Sequence, residues 1–259
     1  MNTVGVSVPV MTVGEPTEEE VVQAYVSTMY PKRYSGTGFL YHARIVTQML
    51  EGISFRQGRV SDKVLDVGCG IGFVSQLYPN FDIVGLDISD EMLKLNPHKW
   101  LKATAEAIPF PDNTFDYVIC RSLLHHLEVP AKGLAEMYRV LKPGGKWVCW
   151  EPNLTIWNDW IRKLAKLTKR FSHWHRSFRP QELVQLIEQS GLVITGKKYH
   201  GHLADGLTGF PDILDLHIPI CIARNLMTID DILAKAWIAK TGWAVMITAG
   251  KPTTQSLMT

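Results

Sequence analysis

Asp66 and Asp87 stand twenty-one positions apart and flank the turn Gly68-Cys69-Gly70-Ile71-Gly72. Each falls at the carboxyl end of an apolar run, 63–67 and 82–86, that reads as a buried strand. Glycines between them let a backbone come close to a ligand. Carboxylates so placed suit a nucleoside at the switch point of an open α/β sheet, with Asp87 accepting hydrogen bonds from both ribose hydroxyls. A dinucleotide fits less well. Phe73 stands where a Gly-x-Gly-x-x-Gly turn has its third glycine, and Asp66, two residues before the first glycine, repels a pyrophosphate and attracts a cation. The chemistry these residues ask for is a ligand that is both nucleoside and cation.

S-adenosylmethionine is such a ligand, and at these residues the chain resembles the class I S-adenosylmethionine-dependent methyltransferases. The resemblance continues through Ala105-Glu106-Ala107-Ile108-Pro109-Phe110-Pro111-Asp112-Asn113-Thr114-Phe115-Asp116 and Leu123-Leu124-His125-His126-Leu127. It ends with Arg139-Val140-Leu141-Lys142-Pro143-Gly144-Gly145-Lys146 and Trp150-Glu151-Pro152-Asn153, so that the blocks run in order across about residues 60–153. It implies S-adenosylmethionine as cofactor and S-adenosylhomocysteine as product. It also implies a Rossmann-like α/β fold of seven strands in the order 3-2-1-4-5-7-6, the last antiparallel, with helices on both faces.

Carried over residue by residue, the resemblance puts Asp66 at the methionyl amino group and Gly68, Cys69, Gly70 and Gly72 around the methionine and ribose. Asp87 takes the ribose hydroxyls, and Ile88 and Met92 sandwich the adenine. Thr104 stands where many relatives have an aspartate for the adenine amino group, which leaves its hydroxyl, the Ala105 amide and Glu106 for that contact; Arg121 completes the set. His125 and His126 follow the fourth strand, where methyl group and acceptor meet. Either is a candidate general base, against the plainer reading that it bonds loop backbone. Arg121, Ser122 and Leu124 surround the pair, so no metal is expected.

The elements that must position these residues follow from period and punctuation. Runs at 63–67, 82–86, 115–120 and 146–150 are the parallel strands, and Gly191 to Tyr199 and Trp243 to Ala249 are two more. Residues 61–153 form the cofactor-binding core. Residues 1–16 read as a flexible leader, and 17–60 as lid helices, the second from about Gly38 to Glu51. Tyr30, Tyr34, Tyr41 and His42 of the lid are candidates to meet the acceptor, as are Glu151 and Trp157; for the lid aromatics the alternative is plain packing on the sheet.

Residues 154–190 carry a basic amphipathic segment. Arg162, Lys163, Lys166, Lys169, Arg170, Arg176 and Arg179 accompany Trp157, Trp160, Ile161, Leu164, Leu167 and Phe171 at spacings of three and four. Residues 157–179 therefore suit peripheral contact with an anionic membrane, or a solvated basic face with its tryptophans in the core. The apolar insertion 200–242 reads as a cap lining an apolar acceptor pocket, or as a homodimer interface.

With 259 residues, 46% hydrophobic, 20% charged and a formal charge of +2, the chain suits one domain and singles out no polyanionic partner. Cys69, Cys120, Cys149 and Cys221 lack C-x-x-C spacing and read as packed thiols. The first fifteen residues do not read as a secretory signal and no run of eighteen apolar residues occurs, so a cytoplasmic location is expected. No nucleic-acid partner is expected. The predicted activity is in-line methyl transfer to an apolar or amphipathic small molecule, such as a secondary-metabolite intermediate, isoprenoid or lipid. The alternatives are a non-methylating cyclisation or elimination on the same fold, and a non-catalytic ligand-sensing or partner-regulating module.

Overall fold

The computed structural model describes residues 36–55, 61–154, 178–204, 218–235 and 239–253. The leader 1–16, Tyr30, Tyr34, Trp157 with the rest of 155–177, and residues 205–217 of the cap lie outside the described residues.

Seven strands form one sheet: β1 (Lys63–Val67), β2 (Asp82–Asp87), β3 (Trp100–Lys102), β4 (Phe115–Arg121), β5 (Leu141–Pro152), β6 (Val193–His200) and β7 (Ala244–Gly250). Their order is β3-β2-β1-β4-β5-β7-β6. Pairs from β3 to β5 are parallel, whereas β7 runs antiparallel to both β5 and β6. This is the expected order.

The central strands read as near-continuous apolar runs because both faces are covered. On one face Leu65, Val67, Val118, Cys120, Trp147, Cys149, Val245 and Ile247 share a core with Leu134, Met137 and Val140 of α4 (Pro130–Val140) and Leu183 and Ile187 of α5 (Pro180–Gln189). Both helices begin on a proline at the first turn, where its missing N–H costs no helical hydrogen bond. On the other face Val64, Ile83, Ile119, Val148, Trp150 and Met246 meet Tyr41, Ile45, Met49 and Leu50 of α1 (Gly36–Gly52) and Ala223 and Met227 of α6 (Ile220–Leu233). Two short helices follow the first two strands. They are α2 (Phe73–Leu77), entered through Gly72, and α3 (Asp90–Lys94), capped by the Ser89 hydroxyl accepting from the Met92 amide at 3.3 Å.

Of the cap, α6 is the main described part, and it docks on α1 through charge as well as packing. Asp231 accepts from Arg44 Nη2 in an ion pair and from Gln48 Nε2 at 3.1 Å. Asp230 turns inward and accepts from the amides of Leu203 and Ala204 at 2.7 and 3.0 Å. No helix among the described residues is long and apolar enough to cross a membrane.

Candidate functional site

The parallel strands deliver their carboxyl ends to one edge of the sheet, and the chain leaves β1 there in a tight turn. Gly68, Gly70 and Gly72 all take left-handed backbone, with φ of 74°, 51° and 73°, a region that side chains with a Cβ rarely enter. The turn is fastened to β2: the amides of Gly68 and Cys69 both donate to the Leu86 carbonyl, at 2.7 and 3.1 Å. At Gly72 the requirement is doubled, since a Cβ there would lie 2.3 Å from Asn96 Oδ1.

Asp87 closes β2 and braces this turn. One carboxylate oxygen accepts from the Gly70 amide at 2.8 Å and the other from the Ser89 amide at 2.9 Å. Each oxygen keeps a further lone-pair site, which is what a vicinal diol needs. Cys69 points the other way. Its sulfur sits where a Cβ on Gly85 would come within 2.6 Å, and burial, with Asp66 and Asp87 adding, pushes its thiol well above the usual range. It is a packed thiol.

Asp66 lies 3% exposed near the end of β1, and among the described residues no group donates a hydrogen bond to it. Burial pushes its carboxyl up to about 7; Arg121 opposes the rise and Asp87 adds to it. Arg121, at the end of β4, is itself held in place: its Nη1 lies 3.2 Å from His42 Nδ1, and its guanidinium lies 5.7 Å from the Phe73 ring centroid. A desolvated carboxylate beside a bent glycine backbone, with a second carboxylate holding two amides, fits a ligand carrying an ammonium and a ribose diol. These residues therefore fit S-adenosylmethionine.

Farther along the edge, Ile88 is 68% exposed and Met92 half-buried. The Thr104 hydroxyl accepts from the Glu106 amide at 3.3 Å, and Glu106 Oε1 accepts from the Val129 amide at 2.8 Å. Glu106 thereby ties the segment to the start of α4. Ala105 is buried in the core.

The exits of β4 and β5 meet at Glu151, which is fully buried. Its Oε1 accepts from the amides of Leu123 and Leu124 at 2.8 and 2.9 Å, and its Oε2 lies 2.7 Å from His125 Nδ1. The His125 and His126 rings lie with centroids 4.0 Å apart, tilted 39° to one another. The structure thus brings Asp66, Asp87, Arg121, His42, His125 and Glu151 to one edge of the sheet. Tyr41 is 3% exposed and packs in the core beneath α1.

Three supports were not singled out in the sequence. Asn96 fills the space under Gly72. Arg139 donates to Glu136, Asp112 and the carbonyls of Ile108 and Phe110, while Glu136 accepts from the Ile108 amide, so the 105–112 segment is clamped to α4. Arg44 anchors α6. Only the Glu136–Arg139 pair, at the i,i+3 spacing of neighbours on a helix, left a signal in the sequence.

The family profile described as Methyltransferase domain matches residues 65–149. The chain is 32% identical over 165 residues to the demethylmenaquinone methyltransferase of Listeria monocytogenes serotype 4a, covering 56% of this chain and 68% of that protein. It is 36% identical over 127 residues to the demethylmenaquinone methyltransferase of Symbiobacterium thermophilum, covering 43% and 48%. Among solved structures it resembles the [4+2]-cyclase SpnF, with a TM-score of 0.63 at 18% identity over 94% of this chain and 100% of that one. It also resembles a possible histamine N-methyltransferase from Thermotoga maritima, with a TM-score of 0.61 at 19% identity over 89% and 98%. At these identities the two structures speak for the fold alone.

Proposed function

The chain belongs to the class I S-adenosylmethionine-dependent methyltransferase superfamily, and on that premise we propose that it methylates an apolar or amphipathic small molecule. The observation that carries the cofactor half of this reading is Asp66, a buried carboxyl beside the glycine turn for which Arg121 only partly offsets the cost of burial. The acceptor half is supported by the Listeria and Symbiobacterium relatives, whose named substrate is an apolar quinone.

When bound, S-adenosylmethionine supplies an electrophilic methyl carbon on a sulfonium. Asp66 balances the amino group, the Gly68–Gly72 backbone holds the methionine and ribose, and Asp87 takes the ribose hydroxyls while keeping Gly70 and Ser89 in place. Ile88 and Met92 flank the adenine, with Thr104, Ala105 and Glu106 along its edge. The turn and Asp87, tied together by these hydrogen bonds, would hold the cofactor in one position for an acceptor to meet. Alignment of this kind can supply roughly 7–11 kcal/mol of barrier reduction without any further catalytic group.

The test is a screen of a prenylated naphthoquinol, other isoprenoids and lipids with the protein and S-adenosylmethionine, read by mass spectrometry. The expected result is a gain of one methyl on an apolar acceptor with S-adenosylhomocysteine released in equal amount. A product of unchanged mass would replace this reading with a cyclisation, and methyl gain only on transfer RNA or protein would move the acceptor class.

A further inference from the structure

Among the described residues, the face of the sheet under α1 is not covered along its whole width. At the last residue of that helix, Gly52, the strands β5, β7 and β6 leave a cavity of about 590 Å³, the size of a small-molecule site. It lies away from the cofactor edge: Lys146 on its wall precedes Glu151 by five residues of β5, about 16 Å at about 3.3 Å per residue. Strand register puts Lys146, Thr248 and Lys198 on the face that α1 packs on. Thr248 is opposite Val148 and Lys198 opposite Met246, both in the core beneath α1, and Lys146 stands two residues before Val148. Gly145, Gly196 and Gly250 carry no side chains, so strand backbone forms the floor.

The walls ask for negative charge. Lys146 and Lys198 form no salt bridge among the described residues. Lys198 is half-buried; burial, with Arg44 and Lys235 adding, holds its ammonium below the usual range, and Glu51 opposes this only in part. The Thr195 hydroxyl donates to the Thr248 hydroxyl at 3.1 Å. Two hydroxyls hold two protons and spend one on their mutual bond, which leaves the Thr248 proton for an acceptor in the cavity.

We propose that this cavity is a second binding site, distinct from the cofactor edge, for a small organic oxyanion: a carboxylate or phosphate ester on an apolar body. Lys198 and Lys146 supply the charge, the Thr248 hydroxyl a hydrogen bond, and Met246 with the glycine floor the apolar contact. Because Lys198 is partly desolvated, salt screens its attraction for an anion less than it screens a pair on the open surface. The site stands apart from the methyl-transfer reading, and its test needs no turnover.

The test is titration of the full-length, nitrogen-labelled protein with phenyl phosphate, benzoate and the uncharged benzamide at constant ionic strength, read from the amide signals of Gly145, Gly196 and Gly250. We expect saturable shifts with at least one of the two anions at about millimolar concentration or below, and none with benzamide; the tighter anion identifies the head group. Lys198→Gln should weaken that binding by about tenfold or more with the rest of the amide spectrum unchanged. Lys146→Gln should weaken it too, and Asp87→Ala should leave it as in the wild type. Shifts that never saturate, an equal response to benzamide, or equal affinity in Lys198→Gln would each overturn the inference, as would shifts centred on the Gly68–Gly72 turn that vanish in Asp87→Ala. Binding that emerges only after Glu18, Glu19 and Glu20 are changed to Gln would overturn it as well, since the chain's own acids would then be the occupant.

Discussion

Asp66 is the residue at which the fold and the ligand make opposite demands. Burial raises its pKa in the folded protein from 3.8 to about 7, so the ionised form is disfavoured in the folded, ligand-free protein. The unfolded chain gives up this proton first. The free protein therefore loses stability as pH rises from about 4 through 7, by at most about 4 kcal/mol. Asp66→Asn lacks that loss. In thermal melts without ligand its melting temperature should gain on wild type from about pH 4 to 7 and then level off, and parallel curves would refute the burial argument. The same proton must leave when an ammonium binds. Below about pH 7, S-adenosylmethionine affinity should rise by up to about tenfold per pH unit and then level off, as calorimetry across pH would record. Asp66 and Asp87 were legible in the sequence because strand, acid and glycine are contiguous there. The link from Glu151 to His125 was not, because the residues are 26 apart and meet only through the pairing of β4 with β5.

The turn and the clamp behind it are the elements that hold the site. Gly72→Ala places a Cβ 2.3 Å from Asn96 Oδ1 on backbone at φ 73°. The left-handed backbone alone costs about 1–2 kcal/mol, and displacing Asn96 adds to it, so urea denaturation should show a loss above that range together with weaker cofactor binding. Arg139→Ala frees the 105–112 segment from α4. Its guanidinium is part-exposed, which discounts its ion pairs, but two part-buried carbonyls lose their donor, and a loss of about 1 kcal/mol is expected by the same method. A wild-type midpoint for either variant would contradict its account. Element boundaries show where sequence reading runs out. β3 has three residues, all exposed, and offers no apolar run. β5 starts at Leu141, five residues before its apolar run, because Lys142-Pro143-Gly144-Gly145 reads as a turn yet continues the strand through an irregular register opposite Phe115 to Tyr117.

At the scale of the molecule, two cores sandwich one sheet, and α1 covers one of its faces with α6 laid against it. The sheet order was legible through the family resemblance, and the covered faces through the continuous apolar strands. The docking of α6 was not, because its apolar residues are spread around the helix: Ala223 and Met227 are buried while Ile220, Ile222, Ile229 and Ile232 stay exposed. The polar link of Asp231 to Arg44 is two-thirds buried at best, so Asp231→Asn should cost less than about 1 kcal/mol globally. Amide exchange in α6 should nevertheless accelerate while β1 and β4 stay protected; unchanged exchange in α6 would show that packing alone holds it. The central claim is that this edge binds S-adenosylmethionine through Asp66, the glycine turn and Asp87. Calorimetric titration of the wild type and Asp87→Ala with S-adenosylmethionine and S-adenosylhomocysteine tests it most directly. The account predicts binding of both at about micromolar affinity, weakened in the variant by about 1.5–3 kcal/mol. No heat with either compound, or equal affinity in the variant, would contradict it.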